Sequence, residues 1–321
     1  MAWPLVSSYP DWRRSMELDE SAQSQQTPAP GATTGYGNWT FTNLDEQMAA
    51  RAVSVLPSRL FDFHAHLYRL CDLGDPPPSL AGEGPSVVDA AVWHTRTSEC
   101  VGKGRLTGAL FLPYPVRNGD VHGANRFLLD QLEGDISSRG SLVVAPDHDR
   151  RELERLLAHP KICGFKPYHL YAARPDTFEA RIEEYVPEWI WAVANERGLA
   201  ITLHLVRHRA LSDTDNQRSI IELCSRYADA KLVLAHAGRG FHAPNTIDAL
   251  PALRGIENLW FDSSAICEPE ALMAILKAFG PKRLLWGSDF PVSHQRGKCV
   301  TVGDAFSWIR PTRIDVDPAA P

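Results

Sequence analysis

The sequence predicts an α/β fold, a (β/α)8 TIM barrel in a single domain with an N-terminal extension, and two observations carry that prediction. From residue 59 onward, short and nearly continuous apolar runs alternate with segments of helical periodicity. Such runs are typical of parallel strands that are buried on both faces. Eight of them, in about 230 residues, are the number that closes a barrel. A doubly wound open sheet is the alternative, but no G-x-G-x-x-G segment follows a strand.

The elements follow one another in regular order along the chain. The predicted strands are Arg59–Tyr68, Thr107–Pro115, Ser141–Asp149, Ile162–Tyr168, Leu199–Leu205, Lys231–Gly238, Asn258–Ser264 and Arg283–Pro291. Apolar stripes at helical spacing predict helices at Asp176–Arg197, Ser212–Tyr227 and Glu270–Phe279. Pro187 should kink or split the first of these helices.

The domain organisation follows from where this alternation begins. Residues 1–57 are predicted to be an N-terminal arm, partly flexible, and residues 58–321 the barrel. Segment 21–37 is polar and rich in proline and glycine, the composition of a flexible or draped chain. Asn43, with Glu46 three positions later, predicts the start of one helix in the arm. The apolar face of this helix would consist of Leu44, Met48, Ala52 and Val55.

Composition and charge exclude several classes of protein. The 33 basic and 39 acidic residues give a net charge of −6, which does not suit binding to nucleic acid through its phosphates. No apolar run approaches the roughly 18 residues that a membrane span needs, and no secretory signal follows Met1. Six cysteines without a C-x-x-C pair indicate reduced thiols in a cytoplasmic protein. The expected partner is a small molecule, and a homodimer stays open.

Histidines at strand positions are the most informative residues. His64 and His66 lie two apart on the first predicted strand, so both side chains point to one face. Asp62 has the same parity and is predicted to orient one of the histidines. Further ionisable side chains end other predicted strands, namely Lys166, His204, His236 and Asp289. Because the carboxyl ends of barrel strands meet at one mouth, these side chains should converge in one crevice.

Five segments in this order resemble the amidohydrolase superfamily, and the closest branch is amidohydrolase-related family 2, the TIM-barrel metal-dependent hydrolases. The segments are FDFHAH, GFKPYH, ITLHL, LVLAHAGRGF and LLWGSDFP. The resemblance covers residues 59–291 and leaves the arm outside. Only 30 residues follow Pro291, fewer than is typical of the family, so an abbreviated closing helix is expected.

The resemblance implies roles for individual residues. His64, His66 and Asp289 match the ligands of the first metal, and His204 matches the strand-five histidine ligand. His236 matches the histidine that binds a second ion in two-metal members, or contacts the attacking water or the substrate in one-metal members. Asp289 also matches the aspartate that takes the proton from the attacking water and later gives it to the leaving group.

Lys166 allows three interpretations. In two-metal members a lysine at the end of strand four is carboxylated and bridges the ions, which requires a neutral amine. An unmodified Lys166 would instead bind a carboxylate of the substrate. The third interpretation is an ion pair with a neighbouring acidic residue.

The predicted cofactor is a divalent metal, one or two ions. Histidine nitrogens together with carboxylate oxygens suit Zn²⁺ best, with Mn²⁺ or Fe²⁺ as alternatives. Such an ion lowers the pKa of water and polarises a substrate oxygen, so that Asp289 can act as general base.

Cations near the mouth predict an anionic substrate. Arg207 and Arg239 each lie three residues after a strand-end histidine, and with Lys166 they would bind a carboxylate. The alternative for the arginines is pairing with acids such as Asp213, Asp215 or Asp262. Tyr168 and His169 are predicted to line the substrate site.

The leading hypothesis is a metal-dependent hydrolase of an amide, lactone or ester of a small carboxylate-bearing substrate. The alternatives are a non-oxidative metal-dependent decarboxylase of a small aromatic or unsaturated acid, and a metal-free barrel.

Overall fold

A computed structural model describes residues 39–78, 80–81, 84–135, 137–310 and 314–318. Within them, eight parallel strands lie side by side, and all eight are hydrogen-bonded to one another in the order in which they occur along the chain. These strands are β1 (Leu60–Arg69), β3 (Leu106–Pro113), β4 (Arg139–Val144), β5 (Ile162–Pro167), β6 (Ala200–Leu203), β7 (Lys231–Leu234), β8 (Leu259–Asp262) and β9 (Leu284–Leu285). A two-residue strand, β2 (Val87–Val88), pairs antiparallel with the end of β1. All eight predicted strands are confirmed.

The segment after β9 closes the sheet onto β1. The Phe63 N–H donates to the Trp286 carbonyl at 2.9 Å, and the Asp289 N–H donates to the His64 carbonyl at 2.8 Å. Gly287 permits this close approach, since a Cβ there would lie 2.7 Å from the Cβ of His64. The closed arrangement confirms the predicted TIM barrel.

Helices follow the strands, as the alternation predicts. In the described part of the chain they include α1 (Asn43–Val55), α2 (Ala90–Val101), α3 (Val121–Glu133), α4 (Arg150–Leu157), α5 (Ile182–Tyr185), α6 (Glu188–Arg197), α7 (Thr214–Arg226), α8 (Ala243–Leu253) and α9 (Glu270–Phe279). A further four-residue helical segment, His236–Arg239, follows β7. Pro187 splits the predicted 176–197 helix, because it caps the start of α6. Gly198, with φ of 64°, ends α6 in the left-handed region.

The core fills the space between the strands and the helices. Its largest fully buried side chains include those of Phe111, Phe165, Trp191 and Phe261. Each contributes roughly 1.5–3 kcal/mol or more by leaving water, so the barrel wall is a stable platform for polar groups at its mouth.

Two exclusions made from the sequence bear on the described residues. None of their helices combines the length and the apolar content needed to cross a bilayer. All six cysteines lie in the described residues and are free thiols, as their spacing predicts.

Helix α1 exists where the sequence predicts it but differs in two details. Its capping box is formed by Thr42 and Asp45 rather than by Asn43 and Glu46. Its predicted apolar face is largely exposed, and the most exposed residues are Leu44, Met48 and Val55. The Arg105 guanidinium holds its C-terminal end by donating to the carbonyls of Val53 and Leu56. The predicted arm segment 21–37 lies outside the described residues, and the boundary at 57/58 stays a prediction.

The C-terminal segment differs from the expected abbreviated helix. It forms an antiparallel sheet of β10 (Lys298–Val302), β11 (Ala305–Ile309) and β12 (Ile314–Val316). The reason is alternation at a period of two, which buries Cys299 and Phe306 against Phe241 while neighbouring side chains face away. This sheet lies beside the barrel mouth, where Phe306 and Trp308 line the main cavity.

Candidate metal centre

The main cavity, of about 780 Å³, lies at the carboxyl ends of the barrel strands. Strand-end residues form its floor, and they are His66, Lys166, His204, His236 and Asp289. Its walls come from the loop after β1, including Leu73, Asp75 and Pro76, and from the C-terminal sheet. The structure therefore brings the predicted strand-end residues to one place.

Three side chains at the base of the cavity face one another closely. The Nε2 atoms of His64 and His66 lie 3.1 Å apart. Each lies 3.5 Å from Oδ1 of Asp289. Ligand atoms bound at 2.0–2.1 Å to a tetrahedral ion lie about 3.3–3.4 Å from one another. The spacing of this trio therefore fits a divalent ion of the zinc class.

The protonation states of His64 and Asp289 also fit a metal. Burial, with a contribution from the charge of Lys166, lowers the pKa of His64 to about 4, so the imidazole is neutral at pH 7. Burial by itself would raise the pKa of Asp289, but the neighbouring imidazoles of His236 and His66 hold that pKa well below its usual range. A neutral imidazole and an ionised carboxylate are the forms that bind a cation.

Acceptors behind the histidines fix which nitrogen faces the centre. Nδ1 of His64 donates to Oδ2 of Asp262 at 2.9 Å, which leaves Nε2 toward the trio. Nδ1 of His66 lies 3.3 Å from the Pro113 carbonyl, which can only accept. Each imidazole is thereby held in the orientation and tautomer that a metal ligand needs.

His236 and Asp262 belong to the same buried network. Asp262 Oδ1 accepts from the backbone N–H of His236 at 2.9 Å, and Ser264 Oγ lies 2.9 Å from Nδ1 of His236. Nδ1 of His236 also lies 3.1 Å from the Ser264 carbonyl, so its Nε2 is available to the cavity. One ring nitrogen of His64, one of His236 and one carboxylate oxygen of Asp262 all lie within 4.8 Å of one another, and they form a second possible ligand group.

His204 lies beside His236, with ring centroids 4.9 Å apart. Its Nδ1 is buried without a hydrogen-bond partner in the described residues. Burial, and then the charge of His236, lower the pKa of His204 well below its usual value. A neutral and unpartnered imidazole nitrogen at this position fits the predicted ligand role, which stays a prediction.

Lys166 is a fully buried amine at the end of β5. Its Nζ has no hydrogen-bond partner among the described residues and lies 5.7 Å from the centre of the Tyr168 ring. Burial lowers the pKa of Lys166 to about 8, while Asp262 and Asp289 act in the opposite direction. The amine is thus mostly protonated at pH 7, with a neutral fraction that could react.

Tyr168 and His169 line the cavity as the sequence predicts. Their rings pack at 4.9 Å, and the Tyr168 ring also lies 4.8 Å from that of His204. Nδ1 of His169 donates to the Thr177 carbonyl at 3.1 Å, so its other nitrogen faces away from that bond. Burial lowers the pKa of His169 to about 4, which keeps it neutral at pH 7.

The two predicted substrate-binding arginines differ in their positions. Arg239 lines the cavity, but its guanidinium donates to Asp317 of the C-terminal segment at 2.6 Å. Arg207 does not line the cavity and pairs with Asp213 and Asp215 at 2.8 and 3.0 Å. For Arg207 the structure shows the alternative interpretation, an ion pair with these two acids.

Asp62 does not contact a histidine ring, contrary to the prediction. Its carboxylate accepts from Trp93 Nε1 at 2.9 Å and from the N–H and Oγ of Ser288 at 2.8 and 2.6 Å. Through Ser288, Asp62 holds the segment that carries Asp289. Asp262 performs the orienting role that the sequence assigned to Asp62.

Asp262 and Ser264 are the functional residues that sequence reasoning missed. Asp262 ends the seventh strand of the barrel and Ser264 follows it, in the run NLWFDSS, at the end where polar side chains reach the mouth. The same strand-end rule that selected His204 and His236 would have selected them.

The sequence matches the amidohydrolase family over residues 61–306. No curated protein matches the chain in sequence.

Solved structures share the fold. A probable 2-pyrone-4,6-dicarboxylic acid hydrolase from Acinetobacter baumannii, solved with citric acid bound, has a TM-score of 0.51 and 18% identity, covering 73% of this chain and 84% of that one. A 5-carboxyvanillate decarboxylase from Sphingomonas paucimobilis has a TM-score of 0.50 and 16% identity, covering 74% and 90%. A 2,6-dihydroxybenzoate decarboxylase from Rhizobium has a TM-score of 0.50 and 11% identity, covering 74% and 89%.

Proposed function

The chain belongs to the amidohydrolase family of metal-dependent enzymes, and on that premise we propose that it hydrolyses an amide, lactone or ester of a small carboxylate-bearing substrate. One observation carries the proposal. An ionised Asp289 faces two histidines at metal-ligand spacing beside a buried Lys166 whose Nζ has no hydrogen-bond partner in the described residues. His66, Lys166 and Asp289 line the same cavity.

His64, His66 and Asp289 would hold the ion, and Zn²⁺ is the metal we propose. The set of two nitrogens and one oxygen suits zinc, with Mn²⁺ and Fe²⁺ as the alternatives that reconstitution separates. When bound, the ion lowers the pKa of water from 15.7 to about 7 and polarises the substrate oxygen. His236, next to His64, and His204, next to His236, would take a second ion.

Asp289 is placed to move the proton. Its Oδ1 faces His64 and His66, whereas its Oδ2 lies 3.9 Å from Nδ1 of His236. Oδ2 would take the proton from the attacking water and later give it to the leaving group. His236, neutral and with Nε2 available to the cavity, would orient the substrate oxygen.

Lys166 would bind the substrate carboxylate. A protonated amine without a partner for its Nζ in the described residues is costly to bury, and an incoming anion removes that cost. Tyr168 and His169 would form the adjoining wall, and the 780 Å³ cavity suits a small molecule. Arg239 would contribute only through its charge, since Asp317 already accepts from it.

Decarboxylation is the second candidate function. The observation that favours it is that the trio is complete for one ion without Lys166. Lys166 would then hold the carboxylate that leaves as carbon dioxide. Two of the structures of similar fold are decarboxylases by name, but their likeness is one of fold.

One experiment separates the two functions. Metal-free protein is reconstituted with Zn²⁺, Mn²⁺ or Fe²⁺ and tested in ¹⁸O-labelled water against lactones, amides and aromatic acids. Hydrolysis places one ¹⁸O in the product without release of carbon dioxide, and decarboxylation does the reverse. Asp289→Asn is the control and should abolish turnover. If none of the metals supported either hydrolysis or release of carbon dioxide, both functions would be contradicted.

A further inference from the structure

A second group of metal-compatible side chains lies outside the main cavity. His122 is in the first turn of α3, His148 lies between β4 and α4, and Glu152 is in the first turn of α4. None of the three lines the main cavity. We call them the α3–α4 cluster.

The three side chains are already close enough to share a ligand. One nitrogen of each imidazole and one Glu152 oxygen all lie within 4.8 Å of one another. Nδ1 of His122 lies 2.8 Å from Oε2 of Glu152, and the two rings have centroids 5.3 Å apart at 70°. Ligand atoms around a tetrahedral ion lie about 3.3–3.4 Å from one another, so the two ligand atoms that are farthest apart must approach by at most about 1.5 Å. The half-exposed His122 side chain has room for this movement.

His148 supplies an independent observation that points to a ligand. It is 9% exposed, and its Nε2 is buried with no hydrogen-bond partner in the described residues. An unpartnered buried polar atom is costly, and a metal or a hydrogen-bonding ligand would satisfy it.

The charge around the α3–α4 cluster suits a cation. Burial, and then the charge of His122, lower the pKa of His148, so the ring is neutral at pH 7 and can act as a ligand. The carboxylates of Asp147, Asp149 and Glu152 all act electrostatically on His148.

We propose that His122, His148 and Glu152 form a second metal site, for a Zn²⁺-class ion with two nitrogen ligands and one oxygen ligand. Water completes the coordination, because the cluster is open to solvent on the His122 side. The ion joins the segments that follow β3 and β4. Its effect is therefore on the stability of this side of the barrel rather than on turnover.

Metal counting in four proteins tests the proposal without reference to activity. The wild type and His148→Ala are stripped with a chelator, loaded with Zn²⁺, dialysed and measured for bound metal. The same is done for His66→Ala/Asp289→Asn, which empties the trio in the main cavity, and for that variant with His148→Ala added. We expect His148→Ala to remove one ion in each background.

Co²⁺ gives a spectroscopic readout of the same site. In the His66→Ala/Asp289→Asn background, Co²⁺ should produce the visible absorption of a four-coordinate site with histidine ligands, and His148→Ala should remove it. Loss of a ligand should weaken Zn²⁺ binding at least tenfold, since loss of a mere outer partner costs ten- to a hundredfold. Zn²⁺ should also raise the Tm of the wild type more than that of His148→Ala.

Matched variants keep the test decisive. His159 also pairs with a glutamate, Glu133 at 3.4 Å, but belongs to no three-ligand group in the described residues, so His159→Ala should keep the wild-type metal count. Glu152→Gln replaces His148→Ala if the latter does not fold. Equal metal content in the wild type, His148→Ala and Glu152→Gln would overturn the proposal. Turnover retained in His66→Ala/Asp289→Asn, with only the α3–α4 ion bound, would instead count against the proposed function.

Discussion

Arg239 and Asp317 form a buried ion pair, 2.6 Å long, that joins the segment after β7, the sixth barrel strand, to the C-terminal segment. Both side chains are at most 4% exposed. The Arg239 guanidinium also lies over the rings of Phe178 and Phe306, at 5.6 and 5.2 Å. One arginine therefore holds the C-terminal sheet against the wall of the main cavity.

The first prediction concerns this pair. Asp317→Ala leaves the Arg239 charge buried without this acceptor, and breaking a buried pair in that way costs about 3–5 kcal/mol. We expect faster amide hydrogen exchange in residues 298–310 and a lower free energy of unfolding. Asp304→Asn, at a side chain that is 83% exposed, is the control and should change neither. Unchanged exchange in Asp317→Ala would show that the sheet is held by its apolar contacts alone.

The second prediction concerns Asp262 as the orienting partner of His64. Asp262→Asn keeps the size of the side chain but presents an amide that no longer holds the charge-assisted bond to Nδ1. Metal affinity should fall about ten- to a hundredfold. Competition against a chromophoric chelator measures the effect. Asp248→Asn, at an exposed position of α8, serves for comparison, and equal affinities in the two variants would refute the assignment.

The third prediction distinguishes the interpretations of Lys166. Lys166→Met keeps an unbranched side chain of similar length and removes the charge. If Lys166 binds the substrate carboxylate, the KM of this variant should be about ten- to a hundredfold higher, with metal content unchanged. A bridging carboxylated lysine should instead lose metal.

Arg207→Ala is the control for Lys166→Met. Its guanidinium is engaged by Asp213 and Asp215 away from the cavity, so KM should be unchanged. An unaltered KM in both variants would exclude Lys166 as the anion-binding group.

The fourth prediction concerns acid stability and His294. Its ring packs between Trp39 and Phe290, at 5.4 and 4.9 Å, and both ring nitrogens lack hydrogen-bond partners in the described residues. Burial, with the charge of Arg96 adding to it, lowers the pKa of His294 to about 4. In the unfolded chain the pKa of this imidazole is near 6.5, so the unfolded chain binds the proton at a higher pH than the folded protein does. The contribution of the neutral His294 to the free energy of unfolding is fully present above pH 6.5 and is lost as the pH falls toward 4.

His294→Phe tests this sign. Between pH 7 and pH 5 the wild type should lose on the order of 1–2 kcal/mol more of its free energy of unfolding than the variant does. Urea titrations at both pH values, with metal present throughout, measure the difference. His94→Phe, at an exposed position of α2, should follow the wild type. Parallel pH curves for the wild type and His294→Phe would show that another group causes the acid loss.

Much of the fold could be predicted because it depends on local patterns. Continuous apolar runs identify strands that are buried on both faces, and the parity of His64 and His66 places both rings on one side of β1 whatever the barrel around them. The split at Pro187 follows from proline chemistry alone. The C-terminal sheet was not predicted, since the expected closing helix rested on a family resemblance rather than on the period of residues 298–316.

The barrel, most of the strand-end residues and the side of β1 on which the histidines lie follow from local patterns in the sequence. Which partners meet depends on the fold, because contacts between strands are set by register and stagger, which local periodicity does not contain. Asp262, 198 positions from His64, orients that ring, while Asp62, two positions away, holds Ser288 instead. In the same way, the sequence allowed Arg239 to be interpreted as a substrate-binding residue, whereas in the fold its guanidinium donates to Asp317.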